Sequence, residues 1–119
     1  MSEMAILRNI LLSCGNGLAR LWRNQVGQYE LADGRILRSG LCKGSSDLIG
    51  YRSVVITPEM VGQRVAVFVA LEVKDKGRLT PEQRVFLDVV DKAGGIAAEV
   101  RSVEDAQAAL HGQNSAFQP

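Results

Sequence analysis

A carboxylate and an ammonium stand two residues apart in Glu72-Val73-Lys74, at the end of an apolar run from Val65 to Leu71. Side chains alternate along a strand, so Glu72 and Lys74 share one face and Val73 takes the other. Charges at the end of a buried strand are costly unless they pair or hold an ion. Upstream, the Gly- and Ser-rich stretch GLCKGSSDLIG, residues 40–50, delivers Asp47 to the start of another apolar run. Alone, Asp47 reads as a turn-forming residue. With Glu72 and Lys74 it reads as part of a two-strand constellation for a divalent cation.

Hard oxygen donors suit Mg²⁺ or Mn²⁺, which keep several waters and take few protein ligands. Asp47 and Glu72 would supply the carboxylates, and the Val73 backbone carbonyl a neutral ligand. Glu3, in the first turn of a predicted helix, is either a favourable acid at that helix N-terminus or a further carboxylate for the same ion. Bound there, a divalent ion supplies Lewis acidity at phosphorus and an acidified water. Lys74 would orient the attacking hydroxide and stabilise charge developing on phosphorus. Gln83, in Thr80-Pro81-Glu82-Gln83, has two readings. Thr80 and Gln83 have the spacing of a capping box, and a glutamine at a helix N-terminus can also position water or a scissile phosphate. No nucleophilic triad competes, because the single histidine, His111, opens a polar tail and reads as exposed and idle.

The elements that must position these residues follow from periodicity. Residues 3–14 place Leu7, Ile10, Leu11 and Cys14 at helical spacing, with Ser2 as cap and Cys14 as a core residue. A strand is predicted at about 19 to 25, with Trp22 read as a core anchor over a base-stacking platform. Tyr29 to Gly34 reads as loop, with Asp33-Gly34 a hairpin-turn signal, and Arg35 to Ser39 as a short edge strand. Strands over Asp47–Ile56 and Gln63–Lys74, joined by the turn Thr57–Gly62, should pair as an antiparallel hairpin that carries Asp47 and Glu72 to one end. Val65 to Leu71 reads as buried on both faces. Thr80 opens a helix with Phe86, Val89, Val90 and Ala93 on its apolar side. Gly94-Gly95 ends it, Ile96 to Val100 returns as a parallel strand, and Ser102 caps a last helix. Residues 1–111 are expected to form a single domain, with 112–119 a flexible tail.

Composition sets the bounds. The 119 residues carry a formal net charge of +1, so no global basic field announces nucleic acid. Between Arg20 and Lys43, however, five bases (Arg20, Arg23, Arg35, Arg38 and Lys43) face two acids (Glu30 and Asp33). Arg20, Arg23, Arg38 and Lys43, with Ser45 and Ser46 of the Gly- and Ser-rich loop, are the candidate phosphate contacts. Two distant cysteines and one histidine speak against a zinc site or a disulfide framework. No apolar run approaches the ~18 residues of a membrane span, and no signal-peptide pattern opens the chain. A cytoplasmic setting, with no membrane partner and no organic cofactor, is expected.

The sequence Asp47…Glu72-Val73-Lys74 resembles the PD-(D/E)xK nuclease signature. The wider pattern GLCKGSSDLIG, ALEVKDKGRLTPEQRVFLDVV and RSVEDAQAAL, together with the LWRNQVG segment, is similar to the VRR-Nuc (virus-type replication-repair nuclease) domain in its small stand-alone phage and bacterial form. The resemblance implies an α/β fold with a restriction-endonuclease-like core, a central mixed β-sheet flanked by helices in the order αβββαβα. It implies a Mg²⁺- or Mn²⁺-dependent DNA endonuclease in a bacterial host cell. Asp47 and Glu72 would be metal ligands, Lys74 the catalytic lysine, Gln83 the helix glutamine and Glu3 the first-helix acid. Ser46 stands where the signature has proline. A homodimer selective for Holliday-junction or branched DNA is its further implication. Two other readings compete: a non-catalytic nucleic-acid-binding or assembly domain on the same fold, and a structural protein in which Glu72 and Lys74 merely pair.

Overall fold

The computed structural model describes residues 2–111, and the tail expected over 112–119 lies outside them. It is a mixed α/β structure in two compact units, Met1–Val54 and Val55–Pro119.

The first unit opens with α1 (Glu3–Cys14), capped where the Ser2 hydroxyl accepts the Ala5 N–H at 3.2 Å. Ala5, Leu7 and Leu11 are its half-buried residues, and α1 packs on β1 (Ala19–Arg23). Cys14, expected in the core, is exposed. It lies on the last turn, where the helix runs out into Gly15. β1 pairs antiparallel with β4 (Leu48–Arg52), Leu21 opposite Gly50 and Arg23 opposite Leu48. A Cβ on Gly50 would run into the Arg20 carbonyl oxygen, so the two backbones approach as only glycine permits. Between them β2 (Gly27–Glu30) and β3 (Ile36–Ser39) form a hairpin. The Asp33-Gly34 signal marks its turn, where Arg35 donates to the Asp33 carboxylate from its N–H at 3.0 Å and from Nε at 2.6 Å. Tyr29 and Glu30, expected in loop, are therefore strand.

The second unit holds a single 3₁₀ turn (Pro58–Met60), β5 (Val69–Val73), α2 (Pro81–Lys92), β6 (Ile96–Val100) and α3 (Val103–His111). β5 and β6 are parallel, joined through α2, with Glu72 opposite Glu99 and Val73 opposite Val100. Val90 of α2 and Val100 of β6 are the buried centre. Ser102 caps α3 by accepting the Asp105 N–H at 3.0 Å. His111 closes α3 instead of opening the tail.

Four expectations need correction. The order is αβββββαβα, not αβββαβα, because the β2–β3 hairpin adds two strands. In place of one central mixed sheet stand three two-stranded ladders, β1–β4, β2–β3 and β5–β6. The hairpin expected between Asp47–Ile56 and Gln63–Lys74 is not formed, since β4 takes β1 and β5 takes β6 as partner. Residues 53–68 intervene, too long for a hairpin loop to set register, and Pro58 lacks a ladder donor. Val65 to Leu71 is likewise not a strand buried on both faces: the strand begins at Val69, and Val65 and Val69 are 49% and 39% exposed. In a two-stranded ladder α2 covers only one face of β5.

Candidate active site

In the second unit Glu72, Lys74 and Gln83 meet. Glu72 lies on β5, and Lys74 is the first residue beyond it, its N–H still bonded to the Val100 carbonyl at 3.0 Å. As alternation requires, both project to one side, with Lys74 Nζ 3.7 Å from Glu72 Oε1, while Val73 is exposed. The two side chains are 33% and 19% exposed, so this pair is partly withdrawn from water. A purely structural pair would look the same. What distinguishes this one is the third member.

Gln83 caps its helix and also reaches Glu72. Its Oε1 accepts the Thr80 N–H at 3.0 Å while the Thr80 hydroxyl accepts the Gln83 N–H at 3.1 Å, which completes the capping box. Its Nε2 donates to Glu72 Oε1 at 2.9 Å. One oxygen of Glu72 is thus shared by an amide and an ammonium. Among the described residues Oε2 has no hydrogen bond or ion pair. A cleft of about 570 Å³ opens between β5 and α2 and is lined by apolar residues such as Phe68, Leu71 and Phe86, with Glu72, Glu82 and Gln83. Even-numbered residues of β5 bond to β6, as Phe68 and Lys74 show, so the Val73 carbonyl faces away from β6 and is not spent on that ladder.

Arg101, which the sequence did not mark, holds the turn that follows Lys74. Its Nη1 donates to the Asp75 carbonyl and its Nη2 to the Gly77 carbonyl, each at 2.7 Å. The turn that leads from Lys74 to Thr80 is therefore tied to the end of β6. An arginine after a strand carries no sequence signal for such a role, because the acceptors are backbone carbonyls 24 and 26 residues away.

In the first unit Asp47 immediately precedes β4 and is exposed, with no partner for its carboxylate among the described residues. Its carbonyl accepts the Asn24 N–H at 2.8 Å. Ser45 is absorbed by its own loop: its hydroxyl donates to the Cys42 carbonyl at 2.7 Å and accepts from Asn24 Nδ2 at 2.8 Å. The Ser46 carbonyl accepts from the same Nδ2 at 2.9 Å. Glu3 stands in the first turn of α1. The four bases do not share one surface of the β1–β4 ladder, because Arg20 lies opposite Tyr51 and Arg23, three residues on, takes the other face. On that face Arg23 Nη1 approaches Met4 Sδ of α1 at 3.4 Å. Arg38 is on β3 and Lys43 in the exposed loop. Trp22 is half-buried against Tyr51, ring centroids 5.8 Å apart.

A family model described as the VRR-NUC domain matches residues 16–104 of the chain. The chain belongs to the VRR-NUC domain family. It is a nuclease domain. The match takes in every candidate site residue except Glu3, which precedes residue 16. No curated protein and no solved structure matches the chain. No described helix of this VRR-NUC domain is long and apolar enough to cross a membrane.

Proposed function

We propose that this VRR-NUC domain hydrolyses DNA phosphodiesters with Mg²⁺ or Mn²⁺. The observation that carries the reading is Glu72: a carboxylate with one oxygen held by Gln83 and Lys74 and the other without a partner among the described residues. The Glu72 carboxylate and the Val73 carbonyl offer the oxygen donors a hard cation takes, and Asp47 is a candidate carboxylate ligand of the first unit. Among the described residues no three His, Cys, Asp or Glu side chains are grouped as a metal cage. Glu3 is a further candidate ligand. When bound, such an ion supplies Lewis acidity and an acidified water.

The chain's own residues do the rest. Gln83 fixes the Glu72 carboxylate by hydrogen bond, so its second oxygen is presented without a search through rotamers. Lys74 sets its ammonium beside the reacting phosphate, where it stabilises the developing negative charge. A subset of Arg20, Arg23, Arg38 and Lys43, with the Gly- and Ser-rich loop at Ser46, contacts the DNA backbone. A homodimer acting on branched or Holliday-junction DNA is the extended form of this proposal.

Calorimetric titration of Mn²⁺ tests it. Wild type should bind, and Glu72→Ala and Asp47→Ala should each lose affinity by at least about tenfold, as loss of a charged ligand predicts. Equal affinity in all three proteins would leave Glu72 and Lys74 as a structural pair.

A further inference from the structure

We propose that Asn24 is the positioning residue of Asp47. The inference rests on the reading of Asp47 as a metal ligand, and its basis is a set of bonds within the first unit. Asn24 follows β1, and its N–H donates to the Asp47 carbonyl at 2.8 Å, which extends the β1–β4 ladder by one residue. Its side chain then reaches three points of the loop that leads to Asp47. Nδ2 donates to Ser45 Oγ at 2.8 Å and to the Ser46 carbonyl at 2.9 Å, while Oδ1 accepts the Leu41 N–H at 3.0 Å.

A side-chain amide is the group that offers two donors and an acceptor on one plane. Both donors and the acceptor are used here. The Ser45 hydroxyl carries the connection onward to Cys42 by donating to its carbonyl at 2.7 Å. Gly40 permits the tight passage. Its φ is +83°, and a Cβ there would stand 2.8 Å from Val26 Cα. The loop is thus sewn to the strand end at both its margins, with Asn24 as the common stitch. Its product is an Asp47 whose backbone is fixed and whose carboxylate has no partner among the described residues. That is the arrangement in which a ligand is oriented beforehand and loses little freedom on binding.

The test uses the full chain with Asn24→Asp, which keeps shape and acceptor but removes both donors, and Asn24→Ala, which removes all three bonds. Leu11→Ala serves as a control of comparable stability loss elsewhere in the same unit. Amide exchange without metal, Mn²⁺ titration and single-turnover cleavage are measured on each. Both Asn24 variants should exchange the Leu41–Asp47 amides at least about tenfold faster and bind Mn²⁺ about 10–100-fold more weakly. The cleavage rate should fall with little change in DNA affinity. Leu11→Ala should retain wild-type Mn²⁺ affinity. Wild-type exchange over Leu41–Asp47 in both Asn24 variants would overturn the proposal, as would wild-type Mn²⁺ affinity in a chain where Asp47→Ala lowers it. If Asp47→Ala itself binds Mn²⁺ normally, the metal reading of Asp47 fails, and the exchange rates alone then decide whether Asn24 holds the loop.

Discussion

In the Met1–Val54 unit the bonds around the candidate site residue run to the loop that precedes it, whereas in the Val55–Pro119 unit they run to the carboxylate itself. Asn24 grips Leu41, Ser45 and Ser46 and leaves the Asp47 side chain alone. Gln83 and Lys74 both address Glu72 Oε1. The difference follows from the supporting element. Asp47 leaves a loop, where main-chain freedom is the larger entropy to remove. Glu72 is on a strand whose backbone the β6 ladder already fixes, so only its rotamer is left to choose. In each unit a single side-chain amide makes that selection.

The contrast can be broken most severely on the loop side. Gly50→Ala drives a methyl into the Arg20 carbonyl and should open the β1–β4 ladder beside Asp47, at about 3 kcal/mol of stability. A thermal melt should show the loss, and cleavage should go with it. An unchanged melting temperature would mean that the ladder is not what holds the loop. On the strand side the fitting change is subtler. Gln83→Glu retains the capping box but replaces the donor to Glu72 with a like charge, so helix stability should hold within about 0.5 kcal/mol. Cleavage should still drop by about tenfold. A variant that cuts normally would reduce Gln83 to a cap. The smallest effect concerns substrate attraction. Replacing Arg20, Arg23, Arg38 and Lys43 together by alanine should lower the salt slope of DNA binding by about 0.9 for each phosphate contact removed. Because Arg20 and Arg23 occupy opposite faces of their ladder, fewer than four contacts are expected. An unchanged slope would place the DNA elsewhere.

Local signals in the sequence carried far. The bounds of α1 and β6, the Thr80 cap and the Asp33-Gly34 turn were legible because each depends on residues within four positions. Glu72 and Lys74 were legible because strand alternation is local too. The pairing of strands was not, since it depends on which distant ladder wins, and Ser53 to Ile56 and Gln63 to Phe68, expected as strand, lie outside any ladder. β2 was missed because Gly27-Gln28-Tyr29-Glu30 lacks apolar alternation. Cys14 satisfied a helical period yet fell past the packed part of α1. Asn24 and Arg101 act through partners far along the chain, most of them backbone groups, and no residue pattern announces such a partner.

The most direct test of the proposed nuclease site is Lys74→Ala, assayed with Mg²⁺ on labelled duplex and four-way DNA and titrated in parallel with Mn²⁺. The account predicts Mn²⁺ affinity close to wild type and cleavage reduced by about 10²–10³-fold. A Lys74→Ala protein that cuts as fast as wild type would contradict it.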